Sequence, residues 1–189
     1  MLSRQVLLMF VLLYSSTALT QTLTIAGGQT IRSSTTEHDA YRLEANFGWK
    51  PELWSTDSLM MSLGHAVSIM TFRDENTVNA LSWAPNIIIT PRNRSGLIPY
   101  AQFGFGVAYL SEDKFESKTP PNATPNDSEY YNEYTSEMGS QGQFESSVAI
   151  GLMKGQFSVR AKYYHYSNAN ITSDNGGMDV AEFGISYSF

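Results

Sequence analysis

The stretch YYHYSNANITSDNGGMDVAEFGISYSF, residues 163–189, decides how the chain folds. Its final run places Phe183, Ile185, Tyr187 and Phe189 at every second position, the period of a β-strand with one apolar face. On an open sheet edge such a row of aromatic side chains would recruit other chains, whereas closure removes the edge. The run therefore reads as the closing strand of a barrel. Just upstream, QFSVRAKYYHYS, residues 156–167, alternates in the same way. Phe157, Val159, Ala161 and Tyr163 share one face with His165 and Ser167, while Arg160, Lys162, Tyr164 and Tyr166 share the other. Hydrocarbon solvates a cation poorly, so Arg160 and Lys162 belong in the lumen. His165 and Ser167 are then left facing lipid.

The same period runs through most of the chain. HDAYRLEANFGWK, residues 38–50, sets Tyr41, Leu43, Ala45, Phe47 and Trp49 against Arg42, Glu44, Asn46 and Gly48. In LIPYAQFGFGVAYL, residues 97–110, Phe103, Phe105, Val107 and Tyr109 alternate with Gln102, Gly104, Gly106 and Ala108, and glycine on the inner face suits a narrow, filled lumen. QFESSVAIGLM, residues 143–153, sends Phe144, Val148, Ile150 and Leu152 outward and Glu145 inward. Runs at 22–28, 58–72 and 78–90 complete eight strands, and Pro85 in the last of these predicts a bulge or irregular position. Connections at 50–57, 90–96 and 153–156 are compact. Those at 29–37, 73–77, 111–142 and 168–178 are mostly longer and more polar. Outer-membrane barrels keep short turns on the periplasmic side and longer loops outside. The expected fold is an eight-stranded antiparallel transmembrane β-barrel with both termini periplasmic. The long 111–142 connection is acidic and proline-containing, and is expected to be a solvated external loop. His65, in mid-strand, has no acidic or hydroxyl neighbour of matching parity and is assigned no role.

The N-terminus agrees with export. Arg4 precedes an apolar core at 6–14, and Ser16-Thr17-Ala18 supplies the small residues of a cleavage site. The core is shorter than the ~20 residues a membrane helix needs. Residues 1–18 are therefore expected to be a signal peptide and 19–189 the barrel. A net charge of -6 without a basic face argues against nucleic acid. The absence of cysteine excludes disulfides and thiolate chemistry.

Depth then gives the lipid-facing pair an address. Residues 157–165 match the ~9–11 residues with which a tilted strand crosses hydrocarbon, so His165 and Ser167 sit near the outer rim, where esters of outer-leaflet lipid lie. Same-face neighbours two apart are ~6.6–7 Å apart at Cα, within reach of an imidazole–hydroxyl hydrogen bond. A triad needs a third group to orient the imidazole. Asp179 shares parity with Phe183, Ile185 and Tyr187 and stands opposite His165 in a simple hairpin register, whereas Glu182 points into the lumen. Asp179 is the acid this reading selects.

His165-Tyr166-Ser167-Asn168-Ala169, with Asn175-Gly176-Gly177 and Asp179 after it, resembles the outer-membrane lipid A 3-O-deacylases (PagL). The resemblance is strongest over 163–189. It implies an eight-stranded barrel of the bacterial outer membrane that hydrolyses the 3-O-linked ester of lipid A in lipopolysaccharide. By that match Ser167 is the nucleophile, His165 the base, Asp179 the orienting acid and Asn168 a candidate oxyanion donor, or else a turn residue at the strand end. The family usually has glutamate at the position of Asp179 and glycine at that of Asn170. No metal or cofactor enters such a mechanism, and a homodimer is an allowed assembly. Two alternatives stay open: a non-catalytic structural barrel, adhesin or minor pore, for which the acidic loop speaks, and another lipid-modifying barrel such as a phospholipase or acyltransferase.

Overall fold

The computed structural model of the protein describes residues 21–31, 38–117, 134–172 and 176–189. The expected signal peptide at 1–18, the middle of the 111–142 loop and Asn175 lie outside the described residues. In chain order the strands are β1 (Gln21–Thr30), β2 (Asp39–Ser55), β3 (Leu59–Arg73), β4 (Thr77–Pro91), β5 (Ile98–Leu110), β6 (Lys114–Ser117), β7 (Tyr134–Glu137), β8 (Gly142–Lys154), β9 (Phe157–Ser167) and β10 (Met178–Ser188). Eight of them close a barrel in the order β1-β10-β9-β8-β5-β4-β3-β2, with β1 paired antiparallel to both β2 and β10. The short β6 and β7 pair with each other in a separate sheet.

The alternating sequence explains the two faces. Ile25, Leu43, Ile69, Trp83, Phe105, Ile150, Val159 and Phe183, one from each barrel strand, all point outward and are exposed. In water such a belt would forgo about 25 cal/mol for every Å² of apolar surface left uncovered. In a bilayer it is the surface that lipid covers. The fold is that of a membrane barrel.

The inward face is filled rather than open. Arg42, Arg160 and Lys162 meet Glu44, Glu145 and Glu182 in one buried network. Glu44 accepts from Arg160 at 2.5 Å, Lys162 at 3.0 Å and Arg42 at 3.3 Å. Arg160 also reaches Glu182 at 3.1 Å, and Arg42 reaches Glu145 at 3.3 Å. Arg42 Nε stands 3.1 Å from Glu182 as an ion pair, without the alignment of a hydrogen bond. The Tyr166 hydroxyl donates to Glu145 at 2.7 Å, and the Arg42 guanidinium lies 4.1 Å from the centre of the Tyr164 ring. Each charge has an opposite partner, which buried charges require. Toward the outer end Phe72, Val78, Leu110, Phe115, Met138, Met178 and Val180 pack into an apolar plug.

The structure departs from the sequence expectation in two connections, and it decides between two alternatives at Pro85. Residues 50–57 are not simply a turn: β2 continues to Ser55, and its pairing with β3 shifts register between Gly48 and Lys50 and again between Lys50 and Trp54. An irregular strand can carry Pro51, which a regular ladder would not. Pro85 sits at an irregular ladder position, one of the two expected alternatives, and makes no bulge. The β4–β5 register is the same before and after it, and only the pairs at Ala84 and Pro85 are missing. There the strands approach closely on the inner side, since a Cβ at Gly106 would lie 2.1 Å from the Trp83 carbonyl oxygen. The 111–142 connection is not wholly a solvated loop either. β6 and β7 contribute Phe115 and, just after β7, Met138 to the plug. Outside the membrane-spanning strands, Lys114 and Glu137 pair across this small sheet at 2.8 Å, and the carboxylate raises the Lys114 ammonium above its ordinary pKa.

Candidate active site

β9 leaves the short inner turn at residues 155–156 and runs to the outer rim, where its lipid-facing side ends in Tyr163, His165 and Ser167. β10 returns beside it with Asp179 opposite His165 and Ala181 opposite Tyr163. The pairing brings His165 Nδ1 to 2.6 Å from Asp179 Oδ1. The imidazole side chain is 30% exposed and the carboxylate 7%, so the ring faces the membrane while the acid is largely covered. An ionised carboxylate only accepts, so Nδ1 carries the proton and Nε2 presents its lone pair. That is the tautomer a general base needs.

The Tyr163 hydroxyl donates to the same Asp179 Oδ1 at 2.5 Å. Sequence parity placed Tyr163 on this face, but nothing in the pattern told that its hydroxyl would reach the acid. β8 adds a second residue that sequence reading passed over. Ser146 stands directly opposite His165 on the flank away from Asp179. Its parity with Phe144 and Val148 was the available signal.

Ser167 lies one step outward on the same face, opposite Phe144. Its Oγ accepts from the Ala169 backbone N–H at 3.1 Å. No hydrogen bond joins it to His165 among the described residues. The ring is nevertheless turned toward that end: a Cβ at Gly177, just beyond the Met178–Tyr166 pair, would lie 3.2 Å from His165 Cε1 and 3.8 Å from Nε2. Gly177 has φ +57, so glycine serves both the turn and the space beside the ring.

After Ser167 the chain turns through Ala169 and Asn170, both with positive φ. Asn168 holds this turn. Its buried carboxamide donates to Met138 O at 3.0 Å and Thr172 Oγ1 at 2.5 Å, and its oxygen accepts from Asn170 N at 2.9 Å. The other side of the loop is tied to the same outer sheet, because Gly176 N donates to Glu137 O at 3.1 Å. The β6–β7 sheet is therefore the floor on which the loop beside Ser167 rests. In this geometry the amide hydrogens of Asn168 are used by the turn, and contact with a substrate oxyanion requires one of them to change partner.

A lipid-facing imidazole oriented by a carboxylate, with a hydroxyl on the same face at ester depth, is suited to acyl transfer. A family model described as lipid A 3-O-deacylase (PagL) matches residues 39–188. The chain belongs to that family. The matched span includes β2 to β10 and hence every residue of the candidate site. Among solved structures, the outer membrane enzyme PagL shares the fold at TM-score 0.70 and 20% identity, over 88% of this chain and 98% of that one. Neisserial surface protein A (NspA) is similar at TM-score 0.51 and 13% identity, over 90% of this chain and 97% of that one. No curated protein sequence matches significantly.

Proposed function

We propose that this PagL-family chain is a serine esterase of the bacterial outer membrane that removes the 3-O-linked acyl chain from lipid A of lipopolysaccharide. The observation that carries the proposal is the His165–Asp179 hydrogen bond on the lipid-facing side, with Ser167 on the same face one step outward. Ser167 Oγ attacks the ester carbonyl as His165 Nε2 takes its proton, and a C–O bond forms to the acyl carbon. Collapse of the tetrahedral intermediate breaks the bond to the sugar oxygen, which receives the proton back from Nε2. Water, deprotonated by the same nitrogen, then hydrolyses the acyl-enzyme and restores Ser167. Asp179 stabilises the imidazolium in both halves. Asn168 serves as oxyanion donor once substrate displaces its Thr172 contact.

Export by the 1–18 segment, cleaved after Ala18, brings the barrel to the leaflet that holds this substrate. A structural barrel or adhesin would leave an oriented imidazole facing lipid unexplained, and the charged network and apolar plug in the lumen oppose a pore. A homodimer has no feature of the described residues in its favour and is not part of the proposal.

Mass spectrometry of lipid A from cells producing the protein tests the assignment. Loss of one ester-linked acyl chain is expected, and Ser167→Ala should leave lipid A intact. Unchanged lipid A with a well-folded wild type, or full deacylation by Ser167→Ala, refutes it. A change confined to phospholipid would instead point to a phospholipase.

A further inference from the structure

Tyr163 lies two residues inward of His165 on the lipid-facing side of β9, so its ring sits deeper in the membrane than the imidazole. It is 40% exposed. The residue opposite it is Ala181, whose methyl group leaves the ring free to lean across toward β10. A phenol at this depth has little water to bond, and an enclosed tyrosine hydroxyl usually finds a protein partner. Here the partner is Asp179 Oδ1 at 2.5 Å, the oxygen that also faces His165 Nδ1 at 2.6 Å.

Two donors thus converge on one carboxylate oxygen, one from the imidazole level and one from beneath. The terminal torsion of an aspartate is soft. Without the phenol, the carboxylate could more readily exchange oxygens or swing toward another donor. A second donor on Oδ1 opposes that rotation and keeps this oxygen against Nδ1. Charge-assisted hydrogen bonds are the strong ones, and a setting with little water strengthens them further.

We propose that Tyr163 is a positioning residue whose phenol holds the Asp179 carboxylate in line with His165. The inference rests on the Ser167–His165–Asp179 reading above, and its test separates the two. Wild type, Tyr163→Phe and Ser167→Ala are compared in detergent micelles by the rate of acyl release from lipid A. The same wild type and Tyr163→Phe samples are compared by NMR of the His165 Nδ1 proton.

Tyr163→Phe keeps the ring and its packing, so the barrel should fold and KM should stay unchanged. The expected loss is about tenfold in kcat, as for one hydrogen bond to a charged group. The Nδ1 proton should be protected and far downfield in the wild type, and should broaden by exchange or move upfield in Tyr163→Phe. An Nδ1 signal unchanged by Tyr163→Phe overturns the proposal whatever the rate. A raised KM with undiminished kcat also overturns it, since Tyr163 would then be a substrate contact. If Ser167→Ala remains fully active, or the wild type releases no acyl chain, the triad reading fails, and the NMR comparison still decides whether Tyr163 positions the acid.

Discussion

Replacing Glu44 by glutamine should destabilise the barrel by about 3 kcal/mol, the lower end of the cost of breaking a buried ion pair, while leaving the lipid-facing site untouched. Glu44 is fully buried and accepts from Arg160, Lys162 and Arg42. Its neutralisation leaves three cations in the lumen facing Glu145 and Glu182. The loss is uneven. Arg160 keeps Glu182 at 3.1 Å, and Arg42 keeps Glu145 at 3.3 Å and Glu182 at 3.1 Å. Lys162 is left with Glu145 at 3.6 Å. The retained partners and the amide oxygen of glutamine place the estimate at the lower end. Most of the cost is then a buried, poorly paired ammonium, so removing that charge should recover much of it. Lys162→Met combined with Glu44→Gln should be less destabilised than the two single changes summed, by about 2 kcal/mol, within the usual coupling range for contacting residues. Urea unfolding in lipid vesicles, followed by tryptophan fluorescence and by the gel mobility of the folded barrel, measures all three variants. A cost below about 1 kcal/mol for Glu44→Gln, or strict additivity in the double variant, would refute the account of the lumen as a balanced charge network.

Two further predictions concern the site. Ser146 and Ser167 both flank His165, but the Cε1–Nε2 edge of the ring faces Gly177 at the outer end. Ser146→Ala should therefore retain most deacylation measured by lipid A mass spectrometry, whereas Ser167→Ala should lose it; the reverse outcome would make Ser146 the nucleophile. Gly177→Ala should lower kcat by about tenfold while the barrel still folds, because the new methyl forces the ring to move and a positive φ costs an L-residue about 1 kcal/mol. Unimpaired turnover in a folded Gly177→Ala protein would show that the ring can give way without consequence.

Much of the fold was legible in the sequence because a strand's side-chain period is local. Once Arg160 and Lys162 are assigned to the lumen, the faces of Tyr163, His165 and Ser167 follow from counting by two. The outward Phe103–Tyr109 row, inward Glu145 and the Asp179–His165 register come from the same arithmetic. Local patterns were less informative where the ladder is irregular. β2 runs past Lys50 through register shifts, and Pro85 sits in a strand whose register does not change. Both depend on how the neighbouring strand accommodates a missing N–H, which neither segment shows alone.

By itself, the sequence determined that this chain builds a lipid-facing β-surface with an imidazole, a hydroxyl and a carboxylate on one face at the outer rim. Only the tertiary structure decided what holds them. Tyr163 reaches Asp179 on the neighbouring strand, Asn168 and Gly176 lean on the distant β6–β7 sheet and the Met138 that follows it, and Arg160 meets Glu44 from the far side of the lumen. Parity assigns a side chain to a face. Barrel closure and strand register set the distance between two side chains, and hydrogen bonds and ion pairs act only at short range.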